Sequence, residues 1–519
     1  MQASSDTQGR PRGSEKLWFA TVMLVSVAVY LNALPNGFVY DDHFQIEANG
    51  WIRDFSHVRE IFSNPVWGFW GRGGNSYYRP LMHLAYAGIY RLSGLAPIGY
   101  HLANVLLHAA NSGMAFLFAL KLHRLSGRGD DVTALPFAVI TGMIFAVHPV
   151  QTEAVSVIAA LPELSFAFFV LLALLAYPYR AIPTPPARRR ARIMVSASCA
   201  FLALLCKETG IVLFPLLATV DLFLAPRGRG SKAVADGLVR YAPFIAVLAA
   251  YMIIRERIFG TLAAAWVRQD WPLTKTAMNA LFLAGKYVVS LALPIRLNFF
   301  QLVRPVTSAS DPGFLGMAAV ATACGILAIR SLKTDRLSTM GWVFLFLPLA
   351  PVLYPPALAT LFGVHNLYLP MLGFGILLGR VAISFWQRTP AGRRAVIGIM
   401  SAILSLLAVM TIARNPVYKD DATLWRDVGE KIGDASPLHF QRGYWLMEEG
   451  RLAEGIEEMR AALALRPDYP GAAYNLGIAF AKLGRDDEAR GYLEIAVKEK
   501  PADLAAHSSL AALHFRQGR

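Results

Sequence analysis

The stretch LWFATVMLVSVAVYLNAL at residues 17–34 carries no charged side chain and opens directly onto PNGFVYDD at 35–42. A run of that length matches the roughly 20 apolar residues a helix needs to cross a bilayer, and the acidic pair marks where the apolar phase ends. The pattern recurs at approximately 98–120, 133–148, 163–180, 192–206, 209–225, 239–256, 277–294, 313–330, 340–354, 364–380 and 395–412. One such segment is compatible with a buried core helix. A dozen in succession cannot share one soluble core, so the spacing predicts an all-α, polytopic transmembrane helix bundle.

Composition agrees. Of 519 residues, 55% are apolar and 16% charged, against a usual charged share of about 25%, which excludes a disordered chain and argues against an ordinary soluble enzyme. The net charge of +15 is unevenly divided. From Arg414 onward there are 15 Lys+Arg against 17 Asp+Glu, leaving 35 against 18 for the rest. The basic excess therefore belongs to the loops between apolar segments, where cations orient helices, and points to membrane lipids rather than nucleic acid as its partner. Cys199, Cys206 and Cys324 all sit inside apolar segments and read as small core residues, not a disulfide framework.

Residues 1–16 form a polar, cytoplasmic N-terminal tail, and the first apolar segment lacks a small-x-small cleavage site, so it is expected to be retained. The basic clusters Lys121–Arg128, Arg188–Arg192, Arg227–Lys232, Arg330–Arg336 and Arg380–Arg394 are expected to face the cytoplasm. Alternation between these loops leaves 277–294 without a simple crossing, as a re-entrant or interfacial segment or one of two short crossings, and favours about 11 true spans. The membrane domain is expected over 17–413, with a long, folded external loop at 35–97.

Residues 414–519 have a different period. A shift of 34 superposes Gly443, Gly477 and Ala511, then Gly450, Gly484 and Gly518, then Pro467 and Pro501, with Ala462 and Ala496 in step. That is the length and pattern of tetratricopeptide repeats, which form an α-solenoid of helix pairs. Two repeats are complete and the third stops after its first helix, at Arg519. The charged faces Glu454–Arg460 and Asp486–Arg490 read as solvated helix surfaces.

Four polar sets fall on one side of this topology. Asp41 and Asp42 lie in the external loop, with Arg79 later in it; adjacent carboxylates near an Arg suit a base and its partner, or a metal site, as well as a surface turn. His101, Asn104 and His108 share one helix face, directed into the bundle. His148-Pro149-Val150-Gln151-Thr152-Glu153 emerges on the outer side as a short helix along the surface, presenting Glu153. Lys207-Glu208-Thr209-Gly210 occupies a tight reversal.

The ordered series Phe38-Val39-Tyr40-Asp41-Asp42, Tyr78-Arg79-Pro80-Leu81, Gly94-x-x-Pro97, His101-x-x-Asn104, His148-Pro149-x-x-Thr152-Glu153-Ala154-Val155, Lys207-Glu208-x-Gly210 and Leu367-Tyr368-x-Pro370 resembles the transmembrane and tetratricopeptide-repeat-containing (TMTC) family. The resemblance implies a GT-C-like fold and a glycosyltransferase using a polyprenyl-phosphate sugar donor, with protein O-mannosyl transfer as the family's activity and Asp41 and Asp42 as catalytic. The chain departs from the family pattern at Leu161-Pro162-Glu163, where an Arg is expected before the acid, and at Val364-His365, where an acidic-Arg pair is expected. Both changes remove cations.

Such a transfer needs a carboxylate to deprotonate a hydroxyl acceptor and cations to balance the leaving phosphate. The expected roles are Asp41 as base and Asp42 orienting the acceptor or the sugar. Arg79, Lys207 and His365 are assigned to the phosphate and His148 and Glu153 to sugar hydroxyls or loop anchoring, with His101, His108 and Glu208 completing the substrate-binding set. No organic cofactor is expected, and a divalent metal is compatible but not implied. The repeats would hold an acceptor polypeptide. Short loops and a compact array point to a bacterial inner membrane with site and repeats periplasmic; in a eukaryotic cell the equivalent place is the endoplasmic reticulum membrane. Two competing readings are a non-enzymatic scaffold with a repeat docking domain, and a GT-C transferase acting on a lipid-linked glycan.

Overall fold

The computed structural model describes residues 13–70, 77–126, 131–224, 231–260, 271–301, 303–354, 362–448, 450–469, 471–500 and 503–517, and no strand occurs among them. Residues 1–12 of the N-terminal tail, the basic positions at 127–128 and 227–230, and the repeat positions Pro501 and Gly518 lie outside the described residues. Two compact units are formed, Met1–Asp421 and Ala422–Arg519. Their division lies beyond the 413/414 boundary read from the sequence, because Asn415 and Tyr418 are fully buried in the first unit. Asn415 Nδ2 donates to the Val29 carbonyl (2.8 Å) and to Asn32 Oδ1 (2.7 Å).

The first unit begins with α1 (Gly13–Tyr30), which a 3-10 turn extends to Ala33. The loop after α1 holds α2 (Val58–Ser63) and α3 (Pro80–Ser93) around a small core of Ile46, Ile52, Val66, Met82 and Tyr86. It is a folded substructure, not a linker. The bundle continues with α4 (Pro97–Leu125), α5 (Asp131–Val147), α6 (Thr152–Ser156), α7 (Leu161–Ala176), α8 (Pro186–Cys206) and α9 (Leu213–Leu224). It closes with α10 (Ser231–Phe259), α11 (Leu273–Ala292), α12 (Pro312–Thr334), α13 (Arg336–Phe346), α14 (Met371–Trp386) and α15 (Pro390–Arg414). Proline within the first two positions of α3, α4, α7, α8, α12 and α15 explains where they start: it pre-sets φ where the missing N–H has no intrahelical partner.

Each apolar segment read from the sequence falls on helix. Among the described residues, five helical stretches suffice by length and composition to cross a membrane: Gly13–Ala33, Pro97–Leu125, Ile158–Ala176, Pro312–Thr334 and Pro390–Tyr418. A sixth arises if Val132–Val147 and Pro149–Ser156, bent by 45°, form one broken span. The gap from eleven has physical causes. The first turns of α8 carry Arg188, Arg189, Arg190 and Arg192, and α9, α13 and α14 are short. Helix α11 is continuous, and residues 293–301 and 303–311 after it contain no second short crossing. The first unit is a membrane-embedded bundle with its core on α4, which packs against α1, α5 and α7.

The second unit contains α16 (Asp421–Ile432) from its second residue onward and the repeat helices α17 (Ser436–Glu448), α18 (Leu452–Leu465), α19 (Ala472–Lys482), α20 (Asp486–Glu499) and α21 (Leu504–Arg516). Gly450 and Gly484 turn the chain between paired helices at φ +82 and +72. Gly443 lies where α17 and α18 cross: a Cβ there would stand 2.9 Å from the Gly455 carbonyl oxygen. The 34-residue period is thus the repeat of one close helix crossing.

Candidate functional site

The site begins at the turn that the Asn-Gly-Phe-Val-Tyr-Asp-Asp sequence makes after α1. The Asp42 N–H donates to the Val39 carbonyl (3.0 Å), closing a turn whose central residues are Tyr40 and Asp41. Tyr40 has φ +51, a left-handed conformation costing a non-glycine residue about 1–2 kcal/mol. Strain of this kind persists only where surroundings enforce it, and it clusters at functional sites.

The two aspartates divide their work. Asp42 is fully buried, and both its oxygens accept backbone N–H groups, Oδ2 from Val39 (3.1 Å) and Oδ1 from Ala159 (2.6 Å). Burial raises it to about 7 against those hydrogen bonds. Through these bonds Asp42, expected to be catalytic with Asp41, ties the loop to the segment before α7. Asp41 is partly exposed and makes no hydrogen bond among the described residues. Burial pushes its carboxyl up to about 6, and the nearby Arg79 guanidinium opposes the rise.

Arg79, preceding α3, forms a two-pronged pair with Glu208: Nε to Oε2 at 3.1 Å and Nη2 to Oε1 at 2.6 Å. Burial works against the Glu208 charge, but Arg79 outweighs it and holds this carboxylate below its ordinary range. The Lys207-Glu208 reversal is tight because Gly210 sits against α8; a Cβ there would lie 2.8 Å from the Ala203 carbonyl carbon. Lys207 pairs with Glu163 from the first turn of α7, with side chains only 7% and 9% exposed. His365, just before α14, places Nδ1 2.6 Å from Glu153 Oε1.

A small cleft is lined by Glu163, Lys207, Thr209, His365 and Asn366 among others. Thr209 Oγ1 has no hydrogen-bond partner, nor does the second oxygen of Glu153. Tyr77 lies in the combined field of Arg79, Glu208, Glu163 and Asp41, so the first-loop acid and the cleft form one electrostatic neighbourhood. Asp41, Arg79, Glu208, Lys207, His365 and Glu153 are thereby brought together from the loop, α6, the 207–210 reversal and the turn before α14.

Three histidines of the expected set make hydrogen bonds to the scaffold. His101 Nε2 donates to the Gly37 carbonyl (3.3 Å). His108 Nε2 donates to the Ala146 carbonyl (3.2 Å), and its Nδ1 accepts from the Tyr368 hydroxyl (2.8 Å). His148 Nε2 donates to the Leu291 carbonyl (3.0 Å), and its Nδ1 accepts from the Val150 N–H (3.2 Å). All three are at most 1% exposed; both ring nitrogens of His108 and His148 are engaged, while His101 Nδ1 has no hydrogen-bond partner among the described residues. Glu163 is the residue the sequence reading treated only as a departure. An ionisable group at the head of an apolar helix was the available signal. Among the described residues no three His, Cys, Asp or Glu side chains converge as a metal site.

Comparison with known proteins follows the same division. The family model "Tetratricopeptide repeat" matches residues 446–513. Protein O-mannosyl-transferase TMTC3 of Mus musculus is 26% identical over 524 residues, covering 92% of this chain and 54% of the relative. Protein O-mannosyl-transferase Tmtc1 of Drosophila melanogaster is 35% identical over 218 residues, 41% of this chain and 24% of the relative. Among solved structures, ArnT from Cupriavidus metallidurans superposes over 93% of this chain and 80% of its own with a TM-score of 0.39 and 16% identity. The chain spans about half the length of the TMTC3 relatives it matches, 54% for the mouse protein and 53% for the human one. Its sequence is similar to that of the transmembrane and tetratricopeptide-repeat-containing proteins, over 92% of its own length for the mouse relative.

Proposed function

We propose that this chain is a membrane glycosyltransferase that moves a sugar, with mannose the first candidate, from a polyprenyl-phosphate donor to the hydroxyl of an acceptor, a protein Ser or Thr, on the extracytoplasmic side of the membrane. The observation that carries the reading is the state of the carboxylates around the cleft. Glu208, Glu163 and Glu153 each hold a cationic or imidazole partner, and Asp42 holds two backbone amides. Asp41 alone in that group is left without a hydrogen bond, partly exposed and beside Arg79. A carboxylate so placed is suited to accept a proton.

In the proposed step the acceptor hydroxyl gives its proton to Asp41 as its oxygen bonds to the anomeric carbon. The bond from that carbon to the phosphate oxygen breaks, its electron pair leaves with the polyprenyl phosphate, and the anomeric configuration inverts. Arg79 keeps Nη1 free of hydrogen bonds, Lys207 keeps two ammonium protons beyond its pair with Glu163, and His365 keeps Nε2 opposite its Glu153 contact. These donors face the charge that develops on the leaving phosphate, and their carboxylate partners hold them in place beforehand, which is how preorganised electrostatic stabilisation acts.

The repeat unit supports a polypeptide acceptor. A small pocket there is lined by Tyr444, Met447, Leu452, Asn475 and Ile478, and repeat arrays of this kind offer extended binding surfaces. The test is transfer from polyprenyl-phosphate mannose to a Ser/Thr-containing peptide by the full chain in lipid nanodiscs, with product stereochemistry read by NMR. Wild-type transfer with inversion, lost in Asp41→Asn while thermal stability is kept, supports the reading. Equal transfer by Asp41→Asn, or no transfer by the wild type, overturns it.

A further inference from the structure

Besides the Asp42 bonds to Val39 and Ala159, the strained turn carrying Asp41 is held by the segment that ends at Asp421. Asp421, the last residue of the first unit, accepts the Tyr40 N–H on Oδ1 at 2.9 Å and contacts His43 Nε2 through Oδ2 at 2.7 Å. One carboxylate thus grips the backbone on one side of the acid pair and a side chain on the other. The grip continues along the same segment. The Gly37 N–H donates to the Lys419 carbonyl at 2.8 Å, and Asn36 Nδ2 to the Asn415 carbonyl at 3.1 Å. The Tyr40 ring packs edge-on against Phe299, centroids 5.2 Å apart.

We infer that Asp421 is a positioning residue for the transfer reaction, fixing the left-handed Tyr40 so that the Asp41 carboxylate points to Arg79 and the cleft. The physical reason is local. Tyr40 and Asp41 are the central residues of the turn, so the direction of the Asp41 side chain follows from the φ of Tyr40. A tyrosine released from its N–H contact relaxes toward negative φ, where a non-glycine residue prefers to be, and the carboxylate turns with it. Asp421 touches neither donor nor acceptor; it acts through the turn. The inference rests on the proposed function for its catalytic consequence but not for its structural one.

The experiment uses the full chain with Asp421→Ala, Asp421→Asn and Asp421→Glu, and reads two quantities. Hydrogen exchange over residues 36–44 is expected to quicken about tenfold in Asp421→Ala, which corresponds to about 1.4 kcal/mol of lost protection. The kcat for peptide mannosylation is expected to fall about 10- to 100-fold with KM for the donor little changed, the signature of a misplaced group rather than lost binding. Asp421→Asn keeps an acceptor oxygen for the Tyr40 N–H and restores most of kcat. Should Asp421→Ala not fold, Asp421→Glu keeps the charge but displaces the oxygens, and carries the same expectation for exchange and kcat. Wild-type exchange in both displaced variants overturns the inference, as does equal loss of kcat in Asp421→Ala and Asp421→Asn. Quickened exchange in a chain whose wild type transfers no sugar leaves the inference standing and removes the functional reading.

Discussion

The cleft of the first unit and the surface of the repeat unit are built from the same pairs, Lys or Arg against Glu, and differ in what the pairs can do. In the cleft, Lys207 and Glu163 are 7% and 9% exposed. On the repeats, Arg451 and Glu454 are 52% and 60% exposed, three residues apart on one helix. Water screens the second pair and pays most of its solvation, so it adds little to stability. The first pair gives up that solvation, and each partner becomes necessary to the other. Burial, not residue type, decides how far each partner of an ion pair depends on the other.

The sharpest way to break the comparison is at Asp41, the carboxylate the cleft leaves free. Asp41→Asn is expected to lower kcat by about 10²- to 10⁴-fold, the usual worth of a positioned base, with an unchanged melting temperature; a smaller loss puts the base elsewhere. Next comes the buried pair. Lys207→Ala leaves Glu163 enclosed without its partner and is expected to destabilise the first unit by about 3–5 kcal/mol, read by thermal unfolding in nanodiscs, with the double variant Lys207→Ala/Glu163→Ala recovering part of the loss.

The pH dependence follows from Asp41 being raised to about 6. A base acts only when ionised, so transfer is expected to rise with pH, reach half its plateau near pH 6, and fall about tenfold per unit below that. A half-point close to an ordinary aspartate would show that the carboxyl is not held in the enclosed position. In the repeats, Gly443→Ala pushes a methyl toward the Gly455 carbonyl and is expected to cost about 1–3 kcal/mol by overpacking, measured by urea unfolding of the full chain. Smallest of all, Arg451→Ala on the exposed pair is expected to cost below about 1 kcal/mol; a larger loss there would erase the contrast between the two surfaces.

Much of this arrangement is legible in the residues themselves. Helices and repeats follow from the spacing of apolar and small residues, because the 3.6-residue turn and the 34-residue pair repeat are properties of the backbone. Arg79, Lys207 and Glu208 were identifiable because charge beside apolar segments is costly and needs a reason. The histidines of α4 and the turn before α6 were not separable from His365 in this way. A polar residue on a buried helix face looks the same in sequence whether its ring nitrogens meet a backbone carbonyl or an open cleft.

What the sequence alone determined is the character of the chain: a helical membrane bundle, a repeat tail, and an acidic pair just past the end of the first apolar segment. Only the tertiary structure decided which of the two adjacent aspartates is free, that Glu163 restrains Lys207, and that Asp421, 380 positions from Asp41, clasps the turn between them. Periodicity is local and is written in neighbouring residues. The orientation of one carboxylate depends on a single backbone dihedral and on partners from distant segments, and these meet only once the chain has folded.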